Sequence, residues 1–296
     1  MFGNSAVRNL ALEEALEDFF LSRRAKGCSP ATLEYYKYSA GMFVAYLKRQ
    51  SVDRPGDVIS MHVRQFLVDV AARGVADTTV HAVARGTRAL LRFWQEEGYR
   101  TSPIVVPMPH VDRKRLPFLA PEQVRNALGQ CSSRRDRALL LFLVDTGVRR
   151  AEALAINWGE IDFDRGAVAV ARGKGGKART VVIGDRTTRA LLAYRRSLPR
   201  SPSNEDPLWQ SRSGRRLALA GLRALMTRLS RRAGIRITPH MLRRTFALMA
   251  LRQGMDLISL QRLMGHADLN MTSRYVAMLD EDLVAAHNRH GLDTWL

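Results

Sequence analysis

The chain has 296 residues, 46% of them hydrophobic, which is enough length and apolar content to fold as two domains or one large one with ordinary buried cores. Its formal net charge is +19, carried unevenly: 14 Lys and Arg stand against 11 Asp and Glu in residues 1–110, and 33 against 17 in residues 111–296. A positive field of that size favours a polyanion, because each phosphate neutralised releases counterions from nucleic acid; a basic solvated surface is the alternative reading.

Residues 1–100 read as helices throughout. Leu10 to Lys26 forms the first, ended by Gly27. Ser29 and Pro30 open the second, in which Leu33, Tyr36, Ala40, Phe43, Val44 and Leu47 recur at helical spacing. Ser60 caps a third, with Val63, Phe66, Leu67 and Val70 on one side, and a fourth runs from about Thr78 through Leu90, Leu91 and Trp94 to Gly98. Together they make a small helical bundle. Between Thr101 and Pro117 the prolines Pro103, Pro107, Pro109 and Pro117 prevent a helix and favour an extended connector, which also holds Arg113, Lys114 and Arg115. This is the expected domain boundary.

Beyond it, Pro121 starts a helix through Leu128, and Asp136 to Thr146 forms another around the apolar run ALLLFLV, stopped by Gly147. Arg149 then stands at the start of a short helix containing AEALAI. A helix N-terminus repels cations, so the expected partner of Arg149 is a bound anion or Glu152, three residues on. From Ile161 to Ile183 the period becomes that of strands: IDFD, a turn at Arg165 and Gly166, AVAVAR, the loop GKGGK and ARTVVI. That is a three-stranded antiparallel sheet with Lys174 at a tight turn. Helices return from Asp185 and again from Leu219 to Ala233. Thr238 and Pro239 open the next, placing His240 and Arg243 on one face of a helix whose Met241, Leu242 and Leu248 are apolar. Asp256 caps a helix carrying Leu257, Leu260 and Leu263 that stops at Gly265, with His266 just past its end. Asp268 or Asn270 caps a short helix that brings Tyr275 around, and a last helix spans Glu281 to His290.

Several chemistries are not indicated. Cys28 and Cys131 fall in different domains, which argues against a disulfide framework or a zinc site. The longest strongly apolar run, Ala138 to Val144, is far below the ~20 residues of a membrane helix, and the N-terminus carries no signal-peptide core, so a soluble cytoplasmic protein is expected. Lys174 does not complete a P-loop, because Gly166 is misplaced and Gly175 stands where Ser or Thr is needed. No HExxH or carboxylate cluster points to a metal, and His287 and His290 lack further ligands. No cofactor is expected. Six positions remain: Arg149, Lys174, His240, Arg243, His266 and Tyr275. Taken singly each has an ordinary explanation, such as a capping histidine, a solvated lysine or a half-buried tyrosine. Their joint order carries the information.

TGVRRAEAL around Arg149, RGKGGKART around Lys174, TPHMLRRTFA around His240 and Arg243, and LMGHADLNMTSRY up to Tyr275 resemble, in order and spacing, the tyrosine recombinases or phage integrases, Xer-type enzymes included. The resemblance covers nearly the whole chain. It implies a mainly α protein: an all-α, SAM-like core-binding domain over 1–104, a linker over 105–117, and an α+β catalytic domain over 118–296 with the small antiparallel sheet. It implies site-specific cutting and rejoining of double-stranded DNA through a 3′-phosphotyrosine, without ATP or metal, by a tetramer on two DNA sites, with a partner or accessory recombinase in some members and a nucleoid location. A tyrosine hydroxyl in water has a pKa near ~10, so about one in a thousand is ionised at neutral pH and attack on phosphorus needs assistance. By the resemblance, Tyr275 is the nucleophile, Arg149, Arg243 and His240 hold the phosphate oxygens, Lys174 protonates the leaving 5′-oxygen, His266 orients the phosphate or accepts the nucleophile's proton, and Glu152 braces the site. Arg244 departs from the pattern, standing where many relatives have histidine. Leu283, Val284 and Ala286 on the tail helix dock in cis or on a neighbouring subunit. Topoisomerase IB-like relaxation, or DNA binding without catalysis, are the alternatives.

Overall fold

The computed structural model of the chain describes residues 10–111, 117–171 and 178–265, together with Tyr275. The basic trio 113–115, Lys174, His266, the short helix expected before Tyr275, and the tail helix expected over 281–290 lie outside the described residues. The chain divides into two compact units, Met1–Lys114 and Arg115–Leu296. Among the described residues no helix is long and apolar enough to cross a membrane.

The first unit is a bundle of α1 (Leu12–Ala25), α2 (Pro30–Arg49), α3 (Ser60–Ala71) and α4 (Asp77–Glu96). Ser29 caps α2 by accepting from the Thr32 N–H at 3.3 Å. At α3 the cap differs from expectation. Ile59, not Ser60, is the N-cap, because the His62 ring accepts the Ile59 N–H at 3.3 Å from inside the first turn, which leaves Ser60 helical. Phe19, Phe43, Phe66, Leu90 and Trp94 fill the core, and the Trp94 indole donates to the Ala15 carbonyl at 3.2 Å, tying α4 to α1. The helices α2 and α4 cross closely at Ser39 and Gly86, where a Cβ on Gly86 would stand 1.9 Å from the Ser39 hydroxyl oxygen. The proline-rich connector adds to this core as well. Prolines keep it extended, and in an extended chain Ile104, Val106 and Met108 share a face, so Val106 is buried and its two neighbours pack alongside.

The second unit contains α5 (Pro121–Gly129), α6 (Arg134–Thr146), α7 (Arg150–Ala155), strands β1 (Ile161–Asp162), β2 (Ala167–Val170) and β3 (Arg179–Val182), then α8 (Asp185–Arg195), α9 (Leu219–Ala233), α10 (Pro239–Arg252) and α11 (Leu257–Met264). Helix α6 is apolar on every side from Ala138 to Leu143 and is buried accordingly, with α8 and α10 packed against it. The sheet is antiparallel in the order β1-β2-β3, with Val168 opposite Val181, and the faces of Val168, Val170 and Val181 turn into the core. The stretch between α8 and α9 lacks a periodic signal, yet it buries Leu208 and Trp209, the indole stacking on Tyr194 at 6.1 Å. A smaller core of Ala247, Leu248, Ala250, Leu260 and Met264 joins α10 to α11, and Tyr275 is part of it.

Candidate active site

The site is built where the C-terminal ends of α6 and α11 meet the N-terminal halves of α7 and α10. Gly147 ends α6 at φ +58°, and Gly265 ends α11 at φ +63°, a left-handed turn that favours glycine in each case. At the other end of α11, Asp256 accepts the N–H groups of Ile258 and Ser259 at 3.0 and 2.8 Å. Thr238 caps α10 by accepting from Met241 at 3.2 Å, which sets the phase of the helix so that Arg243 points inward and His240, one turn earlier, stays exposed.

Arg149 occupies the N-cap of α7, and its misplaced charge is resolved by Glu152. The Arg149 backbone N–H donates to one Glu152 oxygen at 2.8 Å and its Nη1 to the other at 2.9 Å. Its Nη2 donates to the Gly265 carbonyl at 2.8 Å. Arg243 is 5% exposed; one guanidinium nitrogen donates to the Gly147 carbonyl, the other to the Met264 carbonyl at 2.7 Å. Among the described residues Arg243 makes no ion pair. Burial pushes its guanidinium down to about 10, Arg149 and Arg179 push the same way, and Tyr275 and Glu152 oppose them. Arg243 therefore remains charged at neutral pH, with the Tyr275 phenol within electrostatic reach.

A residue with no place in the six-position pattern completes the cluster. Arg179, the first residue of β3, forks onto Glu152 through Nη1 at 3.1 Å and Nη2 at 2.7 Å and donates from Nε to the Leu263 carbonyl at 2.8 Å. The carbonyls of three consecutive residues, Leu263, Met264 and Gly265, are thus taken by Arg179, Arg243 and Arg149 in turn. Burial raises the Glu152 carboxyl, but the bonds from Arg179 and Arg149 outweigh it and hold the group at about 2. The signal for Arg179 was present in ARTVVI: two-residue alternation puts Arg179 on the face of buried Val181, where a charge needs a partner.

His240 stands in a cationic setting. Its ring is open to solvent on one side, and partial desolvation on the other lowers it below the ordinary value of 6.5, with Arg150, Arg244 and Arg243 lowering it further. The departure at Arg244 thus adds positive charge next to His240, while its Nη1 reaches the Pro117 carbonyl at 3.5 Å. Of the seven site residues expected from sequence, the structure brings Arg149, Glu152, Arg243 and Tyr275 together, sets His240 beside them on α10, and leaves Lys174 and His266 outside the described residues. Among the described residues no cluster of three metal-ligating side chains occurs. Chemically, the arrangement is a partly buried pair of guanidiniums with an adjacent imidazole and phenol, suited to a tetrahedral anion.

Residues 117–282 match the Phage integrase family. Over 282 residues the chain is 30% identical to the tyrosine recombinase XerA of Thermococcus kodakarensis, covering 93% of this chain and 95% of that protein. Identity to the tyrosine recombinase XerD of Oceanobacillus iheyensis is 32% over 278 residues, 89% of this chain and 93% of that protein. Among solved structures, a lambda integrase dimer bound to a COC' core site matches with a TM-score of 0.74 at 18% identity, covering 90% of this chain and 95% of that one. XerH bound to a palindromic difH substrate matches with a TM-score of 0.70 at 22% identity, covering 93% and 83%. The chain belongs to the phage integrase family and is an Xer-like tyrosine recombinase, an enzyme of site-specific recombination.

Proposed function

We propose that this protein cuts and rejoins double-stranded DNA through a covalent 3′-phosphotyrosine on Tyr275. The observation that carries the reading is the gathering of Arg149, Arg243 and Tyr275 around the carbonyl end of α11 within a single chain. The Tyr275 oxygen attacks the scissile phosphorus, the bond from phosphorus to the 5′-oxygen breaks, and a proton reaches that oxygen from Lys174. The phenolic proton passes to His266 or to solvent beside it. Arg149, Arg243 and His240 neutralise the non-bridging oxygens, where the pentacoordinate transition state gathers charge. The phosphotyrosine keeps the energy of the diester, so the 5′-hydroxyl of another strand reverses the step without a nucleotide cofactor.

Strand exchange on this scheme needs two duplexes and a tetramer, acting on the nucleoid in the cytoplasm, with or without a second recombinase. The net charge of +19 supports a nucleic-acid partner. The test incubates the full chain with fragmented DNA, denatures it, and sequences what stays attached to Tyr275. A suicide duplex of that site then yields a denaturant-resistant adduct with wild type and none with Tyr275→Phe. No adduct with wild type refutes catalysis. Relaxation of supercoiled DNA without exchange between two cognate sites replaces recombination with topoisomerase-type chemistry.

A further inference from the structure

Arg179 has no part in the scheme above, yet it is the most fully engaged guanidinium of the cluster. Its side chain is 14% exposed, and Nη1, Nη2 and Nε all donate, the first two to Glu152 and the third to the Leu263 carbonyl. Its polar edge is therefore turned toward protein groups. Those groups belong to two different elements. Glu152 lies on α7 and also binds both the backbone and the guanidinium of Arg149. Leu263 lies in the last turn of α11, from which the chain runs on to Tyr275. In the other direction along the chain, Arg179 follows Lys174 by five residues and begins the strand that pairs with β2.

A cation at a helix C-terminus is favourable because it meets the negative end of the dipole, and one would suffice for that. Here three guanidiniums from three separate elements each take one carbonyl, which pins the last turn of α11 and the turn at Gly265 that ends it. The turn at Gly265 leaves no slack, since a Cβ there would lie 3.0 Å from the Arg179 guanidinium carbon. A single carboxylate, Glu152, is shared between Arg149 and Arg179, so the orientation of Arg149 depends on the group that holds the far side of Glu152.

We propose that Arg179 is a positioning residue for DNA cleavage: it ties β3, the strand that follows Lys174 in the chain, and the last turn of α11, the helix that precedes Tyr275 in the chain, to the same Glu152 that orients Arg149. The proposal rests on the catalytic assignment made above. It differs from a strut that only adds stability and from a direct phosphate contact, and the three make different predictions.

The test uses the full chain and a suicide duplex of its trapped site, with single-turnover adduct formation at saturating DNA, well below the melting temperature of every variant. Arg179→Met keeps DNA affinity within about threefold and loses about 10²-fold in cleavage rate, the scale expected when catalytic groups are misplaced by about an ångström. Arg179→Lys, which keeps the charge but not the fork, recovers part of the loss. On a Glu152→Gln background the Arg179→Met change costs at least about threefold less than in wild type, because its hold on Arg149 is already broken and only its hold on the Leu263 carbonyl is left to lose. Two results overturn the proposal: a wild-type cleavage rate in Arg179→Met, which makes it a strut, or an undiminished loss on the Glu152→Gln background, which makes it an independent contact with DNA. If wild type itself forms no adduct, the catalytic assignment fails and the proposal with it; a normal adduct in wild type and in Arg179→Met sinks the proposal alone.

Discussion

Replacing Glu152 with glutamine removes one negative charge and almost no volume from the centre of the site, and its cost can be worked from the structure. The carboxylate side chain is 6% exposed and pairs with Arg149 and Arg179. Its fall from an ordinary 4.5 to about 2 corresponds to about 3 kcal/mol of stability at neutral pH. Removing one member of a buried ion pair costs ~3–5 kcal/mol, which agrees. Glutamine keeps one acceptor oxygen, but its amide N–H groups face guanidinium donors. The sign follows from the direction: the folded value is depressed, so the stabilisation is complete above 4.5 and is lost as pH falls through 2. The deficit of Glu152→Gln, about 3 kcal/mol at pH 7, therefore shrinks to roughly half at pH 3. Urea unfolding followed by near-UV signals of Trp158 and Trp209, both in the core of the second unit, measures it without adding salt. Other carboxyls titrate in both proteins and cancel in the difference. A variant within about 0.5 kcal/mol of wild type at pH 7, or a deficit that is the same at pH 7 and pH 3, refutes the reasoning.

Two further predictions concern the neighbours of that carboxylate. His240 is held below 6.5 by partial desolvation and three arginines, so it is neutral at pH 7, and an arriving phosphate raises it. DNA binding then takes up a proton, and affinity is highest below the free-state value and declines as pH rises through the bound-state value; calorimetry at pH 6.5 in buffers of different ionisation enthalpy reads the uptake, and equal uptake by His240→Gln would rule His240 out as its source. Gly147→Ala places a Cβ 2.3 Å from a Phe246 ring carbon at a φ of +58°. It destabilises the protein by ~1–3 kcal/mol and slows adduct formation, because the Gly147 carbonyl holds Arg243. Phe246→Ala in the same chain restores part of the melting temperature, and an unchanged melting temperature in the single variant contradicts the clash.

Much of this site is legible in the sequence because its framework is local. Thr238 and Pro239 announce the start of α10, Asp256 and Gly265 bracket α11, and the phase of α10 follows from its apolar residues. The charge of Arg149 at a helix start already demands an anion, and Glu152 lies three residues away. Arg179 is harder to see, since β3 has four residues and an arginine at a strand end usually reaches solvent. Only the inward phase shared with Val181 marks it. The convergence of Leu263, Met264 and Gly265 on three arginines leaves no trace in sequence at all, because a backbone carbonyl is the same at every residue. The buried Leu208 and Trp209 are similar: their burial comes from packing across α6 and α8, not from a local period.

The distribution of charge among the arginines suits a transient anion better than a permanent one. Among the described residues one carboxylate, Glu152, pairs with Arg149 and Arg179, and none pairs with Arg243. Arg243, the most buried, is held by the carbonyls of Gly147 and Met264. A carbonyl dipole fixes a guanidinium in place without cancelling its charge, whereas a second carboxylate would occupy the fork that a phosphate needs. Burial that pushes Arg243 down to about 10 is the sign that its charged form is destabilised, with Glu152 and the Tyr275 phenol opposing this only in part and, among the described residues, no carboxylate paired with it. In the proposed reaction that destabilisation is relieved as the phosphate gains charge, so the stabilisation grows toward the transition state, and no protein group has to reorient to provide it.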